Sequence, residues 1–456
     1  MADTIAAIAT GMQLSAIGII RISGDDTLNI IDKVFVPLSG KPMSRRDDRS
    51  LVFGVLKDKQ GQAIDHCLCT VSRGPGSYTG EDTAELQCHG SPLVLREGLE
   101  SLFNAGARQA LAGEFTKRGF LNGRMDITQA EAVIDLINAE TTQAAVNAAG
   151  QVGGAIFRRV NMVYSSLADI ASHYHAVLDY PDEDIEEFNL SGYLGTIGDA
   201  VSNMQQLLNS FTRGKIMQHG VKGAVVGRPN VGKSSLLNAL LGYERVIVTE
   251  IPGTTRDTVE VRLRLGGVLI RLSDTAGLRS TSDPVERLGI DRAVKAAREA
   301  ELVIAVFDGA TALTEEDEQV INAAAQAEYK IGVVNKNDLP SRADRSRLER
   351  AFGKLYYVSA ADMSGLDELE QAVGALFPAG SDASAGEILT NARQAEAVQR
   401  ALEAMKGAQK AMEDGLTPDA VLSDVEVAMQ AIGELTGKVV RDDITSRIFD
   451  RFCVGK

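Results

Sequence analysis

Short apolar runs broken by turn residues mark the first 118 positions. Ala16–Ile22 and Leu51–Leu56 are rich in β-branched residues and predict strands, with Asp58-Lys59-Gln60-Gly61 as a turn after the second. The opening stretch MADTIAAIATGMQLSAIGIIRISG is apolar but interrupted at Gly11, Gln13 and Ser15. Asp3 stands where a leader would carry basic residues, so strand–turn–strand is expected. Leu93–Ala105 carries leucines at helical spacing. Residues 1–118 thus predict an α+β domain.

From 119 to 215 the period becomes helical. Thr128 with Glu131 three residues later forms a candidate capping box, and Ile127, Ala130, Ile134 and Ile137 share one face. Further helices are expected over 144–176 and 190–212, separated by an acidic turn at Pro181–Glu187. Between 216 and 378 apolar runs alternate with amphipathic segments: Val221–Val226, Val268–Leu272, Leu302–Phe307, Lys330–Val334 and Leu355–Val358. That alternation predicts an α/β domain, a parallel sheet with helices on both faces. A small-residue linker, Ala379–Gly386, leads into a second helical block, 379–456, with a strong helix over Ala397–Met412. Neither helical block alone supports a comfortable core, so the α/β domain reads as inserted into one all-α domain built from both.

Charge changes the picture of partners. With 47 basic and 62 acidic residues the net charge is −15, which excludes a general binder of nucleic acid or anionic membrane; RNA contact would need a local patch. Trp is absent and aromatics make up 5%, so stacking platforms are scarce. Four cysteines, Cys67, Cys69, Cys88 and Cys453, make no disulfide framework. His66-Cys67-Leu68-Cys69 admits a metal reading or a strand with alternating faces; the lack of a second ligand pair at zinc spacing favours the strand. A cytoplasmic, membrane-free protein is expected.

Gly227-Arg228-Pro229-Asn230-Val231-Gly232-Lys233-Ser234, followed by Ser235, matches the G-x-x-x-x-G-K-[ST] phosphate loop, between an expected strand and helix. Its backbone N–H groups would wrap phosphates, Lys233 would reach the β- and γ-phosphates, and Ser234 would ligate Mg²⁺. The companion motifs follow in order. Thr254-Thr255 lies in a Gly-containing loop where Thr255 would complete the Mg²⁺ shell. Asp274-Thr275-Ala276-Gly277 would hold the metal through water and sense the γ-phosphate. Asn335-Lys336-Asn337-Asp338 would read guanine, Asp338 accepting from the N1–H and N2–H₂ edge that adenine lacks. Ser359-Ala360 would offer a backbone N–H to the base oxygen. Five such motifs in sequence point to a guanine-nucleotide site. Leu278 replaces the glutamine that orients water in Ras-like switches. Asp283, Glu286 and Arg287 follow just downstream, and Asn230 brings an amide oxygen beside the phosphates, where a monovalent cation or plain loop tolerance are both open readings.

With Asn230, the T-T-R-D loop and the D-T-A-G-L run, the domain resembles potassium-activated GTPases of the Era-like group. Arg21-Ile22-Ser23-Gly24, Tyr78-Thr79-Gly80-Glu81-Asp82, Gly113-Glu114-Phe115-Thr116, Phe120-Leu121-Asn122-Gly123-Arg124 and the terminal Phe452-Cys453-Val454-Gly455-Lys456 extend this. Over its whole length the chain resembles the MnmE (TrmE) family of tRNA-modification GTPases. The resemblance implies an N-terminal domain that binds 5-formyltetrahydrofolate or a related tetrahydrofolate and forms a homodimer. It implies work with a flavin-dependent partner, MnmG, in a heterotetramer or larger complex. The product would be an aminomethyl-type group on carbon 5 of the wobble uridine of certain tRNAs. It assigns folate contacts to Arg21, Glu85, Arg124 and Lys456, and K⁺ contacts to Asn230, Thr249, Ile251 and Thr254. The nucleotide loop becomes Thr249, Glu250, Ile251, Pro252, Gly253, Thr254 and Thr255. Glu286 takes the water-orienting role that Leu278 cannot fill, and Cys453 the role of a C-terminal cysteine needed for modification but not for GTP hydrolysis. Val454 stands where the family usually has Ile, and Gly11–Ala16 lacks the family's usual Pro- and Gly-rich loop. A regulatory GTPase of ribosome assembly is the alternative, against which the acidic charge and lack of a basic tail count.

Overall fold

The computed structural model describes residues 3–179, 190–243, 261–272, 288–377, 386–438, 448–449 and 452–455. The chain divides into two compact units. One comprises Met1–Ile137, Ala148–Gln205 and Glu396–Lys456; the other comprises Asn138–Asn147 and Gln206–Ala395.

The chain opens with β1 (Ile5–Ile8), β2 (Ile17–Ser23), α1 (Thr27–Val34), β3 (Phe35–Pro37), β4 (Leu51–Lys57), β5 (Ala63–Ser72), β6 (Thr83–His89), α2 (Pro92–Ala105) and β7 (Arg108–Gln109). The strands form one sheet in the order β3-β4-β5-β6-β2-β1-β7, antiparallel except for the parallel pair β1–β7. The expected strands and helix are all present. Period-2 alternation sends Ile20 and Ile22 of β2, Cys67, Cys69 and Val71 of β5, and Ala84, Leu86 and Cys88 of β6 into one core with α1 and α2. Helix α2 approaches the sheet closely through Gly98, where a Cβ would stand 2.6 Å from Ile20 Cδ1.

Helices α3 (Glu114–Leu121), α4 (Ile127–Ile137), α5 (Thr142–Val152), α6 (Ala155–Asp179) and α7 (Leu190–His219) follow. Two expectations need correction. The capping box of α4 is Asp126 with Gln129, not Thr128 with Glu131. Asp126 Oδ1 accepts the N–H groups of Thr128 and Gln129, while Gln129 Oε1 accepts the Asp126 N–H at 3.0 Å. The overlapping D-I-T-Q and T-Q-A-E strings both satisfy the pattern, and the aspartate wins because Ile127 is then helical and fully buried. The helix expected over 144–176 is split at Gly153-Gly154, where Gly154 adopts φ +81°. The acidic turn Pro181–Glu187 lies outside the described residues.

The second unit continues with β8 (Val221–Val226), α8 (Lys233–Tyr243), β9 (Val261–Leu265), β10 (Val268–Leu272), α9 (Leu288–Glu299), β11 (Leu302–Asp308), α10 (Glu315–Ala324), β12 (Tyr329–Asn335), α11 (Arg345–Phe352), β13 (Leu355–Tyr357) and α12 (Leu366–Leu376). Strand order is β13-β12-β11-β8-β10-β9. The sheet is mixed, not wholly parallel: β9, unforeseen in the sequence, runs antiparallel to β10. Gly266 and Gly267, both at positive φ, close that hairpin in two residues, a connection too short for a parallel crossover. The other pairs are parallel. Alternate residues of β11 feed opposite cores. Leu302, Ile304 and Val306 pack in the cluster with α8 and α12; Val303, Ala305 and Phe307 pack in the cluster with α9, α10 and α11. Helices therefore cover both faces. Finally α13 (Ala392–Glu413) and α14 (Pro418–Thr436) complete the helical elements, α14 packing along α6 and against α4.

Candidate functional site

The phosphate loop connects the end of β8 to the first turn of α8. Its glycines are required by crowding. A Cβ on Gly227 would stand 2.4 Å from the Val306 carbonyl oxygen, and one on Gly232, at φ +93°, 2.2 Å from Asn335 Nδ2. Asn230 sits at φ +64°, a conformation asparagine tolerates better than most residues. Lys233 Nζ donates to the carbonyls of Gly227 and Arg228, both at 2.8 Å, so its ammonium is held within the loop. Burial holds this lysine below its ordinary pKa. Ser234 is half-buried and Ser235 exposed in the same first turn; Val231 is fully buried. Aligned N–H groups and the helix dipole at this point make an anion site.

Two residues of the expected base-reading motifs, Asn335 and Lys336, are drawn to the loop. Asn335, at the end of β12 and 2% exposed, donates from Nδ2 to the Val231 carbonyl at 2.9 Å and accepts the Ala360 N–H at 3.2 Å. It is a brace between the phosphate loop and the segment after β13. Lys336, at φ +64°, donates to the Asn230 carbonyl at 3.0 Å. Ser359 is buried, its Oγ accepting the N–H groups of Ala361 and Asp362. The Ala360 N–H expected to meet the base faces Asn335 Oδ1 at the long end of the hydrogen-bond range. Asn337 and Asp338 are exposed.

Two features of the site were not foreseen. Asp308, ending β11, accepts from Lys336 Nζ at 2.7 Å and from the Ala310 N–H. Burial opposes its charge, but Lys336 and that N–H outweigh it, and its carboxyl lies below the usual range. Arg228 pairs with Asp317, 2% exposed at the start of α10, and donates to Thr311. A carboxylate directly after an apolar strand was the available signal for Asp308. Thr249, Glu250, Ile251, Pro252, Gly253, Thr254, Thr255, Asp274, Thr275, Ala276, Gly277, Leu278, Asp283, Glu286, Arg287 and Lys456 lie outside the described residues.

A second cluster lies on the N-terminal sheet. Arg21 and Glu85 are cross-strand partners on β2 and β6, joined at 2.8 Å. The guanidinium stands 5.7 Å from the Phe115 ring and 5.9 Å from that of Tyr78, and it donates to the Gly455 carbonyl at 3.4 Å. The C-terminal peptide is docked here: Val454 bridges Ala112, and the Cys453 carbonyl accepts the Gly113 N–H at 3.4 Å. Phe452 is buried with Phe449 and Ile127, while the Cys453 side chain is exposed. Arg124, exposed, donates to the Ser77 carbonyl at 3.1 Å.

Two family profiles match this chain: "GTP-binding protein TrmE N-terminus" over residues 4–124 and "MnmE helical domain" over residues 127–453. The chain belongs to the MnmE (TrmE) family. Curated relatives carry the name tRNA modification GTPase MnmE. The protein of Symbiobacterium thermophilum is 42% identical over 456 residues, that of Roseiflexus sp. 41% over 468 and that of Alkaliphilus metalliredigens 40% over 458, each alignment spanning 100% of this chain and 99% of the relative. The blocks that carry the MnmE resemblance meet in space. Ser23 bonds Thr79 and Glu81; Arg118 binds Glu81 and Glu114; Arg108 adds a second contact to Glu114. The guanidinium groups hold Glu114 below its usual range against the opposing effect of burial. Among the described residues no helix is long and apolar enough to cross a membrane.

Proposed function

We propose that this chain is a potassium-activated GTPase that modifies tRNA. It acts in the cytoplasm as a homodimer with the flavoprotein MnmG and adds a carboxymethylaminomethyl or aminomethyl group at carbon 5 of the wobble uridine. The observation that carries the nucleotide reading is the Asn335 brace, which joins the phosphate loop to the Ser359-Ala360 segment. The partner and the uridine chemistry rest on family membership. The domains run 1–118 (folate binding, dimerisation), 119–215 and 379–456 (helical), and 216–378 (GTPase).

Lys233 and the α8 N-terminus bind the phosphates; Asp338 selects guanine. The cradle at Gly232 and the hydroxyl of Ser234 fit a Mg²⁺-nucleotide; Thr255 would be the second hydroxyl ligand, and Asp274 would hold the metal through water. Asn230 contributes the hard amide oxygen a K⁺ ion takes, with Thr249, Ile251 and Thr254 completing its shell. When bound, the two cations supply positive charge to the phosphoryl group in flight. Glu286 orients the attacking water through a bridging water. Arg21, Glu85, Arg124 and Lys456 bind the tetrahydrofolate: the aromatic rings beside Arg21 and the carboxylate of Glu85 suit a flat, polar-edged pterin. Cys453 serves the modification.

The test is steady-state GTP hydrolysis in K⁺ against Na⁺, with Glu286→Ala. Hydrolysis rises strongly in K⁺, and the variant binds GTP but turns it over poorly. Equal rates in the two salts remove the cation's role. Mass spectrometry of wobble-uridine nucleosides from cells lacking the gene, with Cys453→Ser rescue, tests the tRNA reaction; an unchanged nucleoside profile refutes it.

A further inference from the structure

We propose that Asp65, Cys67 and Cys88 form a binding site for a thiophilic divalent cation of the Zn²⁺ kind, on the β5–β6 strand pair. Cys67-Leu68-Cys69 has no second ligand pair nearby in the sequence. The fold adds Asp65 from the same strand and a single thiol, Cys88, from the neighbouring one. The register Leu68↔Gln87 and Cys69↔Leu86 sets Cys67 opposite Cys88, where cross-strand Cβ atoms stand roughly 4.5–5.5 Å apart. A carboxylate oxygen of Asp65 and the two Sγ atoms all lie within 4.8 Å of one another. Cys67 and Cys88 are 3% and 2% exposed, and the Asp65 side chain 8%.

Donors around a tetrahedral zinc, at about 2.3 Å for sulfur and 2.0–2.2 Å for oxygen, stand roughly 3.5 Å apart, so small side-chain rotations close the set. The carboxylate is oriented from outside. The His89 N–H donates to Asp65 Oδ2 at 2.8 Å, and His89 Nδ1 lies 2.7 Å from Asp65 Oδ1, with the ring side chain 74% exposed. His89 thus holds the carboxylate from outside the donor set, the outer hydrogen bonding that fixes a ligating carboxylate. Two sulfurs and an oxygen select zinc-like ions over Mg²⁺, so the site does not compete for the nucleotide's metal. Binding converts both thiols to thiolates: two S–H bonds break, two metal–sulfur bonds form, and two protons pass to solvent with no change of oxidation state. The site is independent of the GTPase reading.

Full-length, reduced, metal-stripped protein is titrated with Co²⁺ and then with Zn²⁺. One Co²⁺ per chain gives thiolate-to-cobalt charge-transfer absorption, Zn²⁺ bleaches it, and two protons appear per ion. Cys67→Ser and Cys88→Ser lose the band; Cys453→Ser keeps it. Because both strand cysteines are in the core, His89→Ala provides a surface variant: the band remains and Co²⁺ affinity falls roughly 10–100-fold. The proposal is overturned by a wild type with no band, by a band that survives both strand variants, by an unchanged affinity in His89→Ala, or by a Cys67–Cys88 disulfide trapped by alkylation in protein taken directly from cells.

Discussion

Replacing Asp308 by alanine removes the anchor that holds Lys336 against the phosphate loop. Lys336 Nζ lies 2.7 Å from Asp308 Oδ2 and 3.0 Å from the Asn230 carbonyl oxygen. A unit-charge pair at that distance is worth about 6 kcal/mol at an effective dielectric near 20 and about 1.5 kcal/mol in bulk water. Asp308 is 8% exposed but Lys336 is 34% exposed, so the ammonium keeps part of its hydration when the partner is removed. The net loss is then roughly 1–2 kcal/mol, which raises the Kd for guanine nucleotides about 5–30-fold. GTP and GDP weaken alike, and the preference for guanine over adenine is unchanged because Asp338 is untouched. The assay is equilibrium titration of a fluorescent GDP analogue, repeated on Lys336→Met and on the double variant. The cycle returns a coupling of about 1 kcal/mol. A Kd within twofold of wild type, or two single losses that simply add, refutes the anchoring role. The pH dependence has a definite sign. A carboxyl held below its unfolded value contributes fully above that value and is lost as pH falls through the folded one. The Asp308 contribution therefore persists through neutral pH and disappears only on the acid side of about 3.9.

Lys233 carries the opposite expectation. Its pKa is depressed in the free protein and rises when phosphate meets the ammonium, so nucleotide affinity falls as pH climbs through the free-protein value, on the alkaline side but before about 10.4; a flat Kd up to that pH argues against it. Asp338→Asn replaces the double acceptor by an amide, lowering GTP affinity by about two charge-assisted hydrogen bonds and favouring xanthosine nucleotides, as competition binding will report. Phe452→Ala vacates a pocket shared with Phe449 and Ile127, at about 3 kcal/mol. The last residues then become sensitive to carboxypeptidase while GTP hydrolysis stays at the wild-type rate; unchanged resistance means the docking rests on the backbone bridge at Val454.

What the sequence disclosed and what it hid divide along one physical line. The phosphate loop was legible because its chemistry is contiguous: Gly227, Gly232 and Lys233 serve one turn of backbone, and the crowding at both glycines confirms why no side chain is admitted. The strands of the N-terminal sheet were legible because period-2 alternation is local. Even where local rules misled, they failed locally: two overlapping capping strings compete within a few residues of Thr128, and burial of Ile127 decides between them. Strand β9 is a local feature with a weak signal: arginine at every second position of VRLRL leaves no continuous apolar run. The other hidden features depend on register. Asp308 gained its role only when β11 and β12 paired Asp308 with Asn335, setting the carboxylate beside Lys336. Cys88 came opposite Cys67 only through the β5–β6 pairing. A one-residue slip in either pair would turn these side chains to opposite faces and dissolve both arrangements. Pairs of polar or thiol groups placed by strand register are therefore where this fold holds chemistry that its motifs do not announce, and the Asp308 cycle and the cobalt titration test that proposition at two independent sheets.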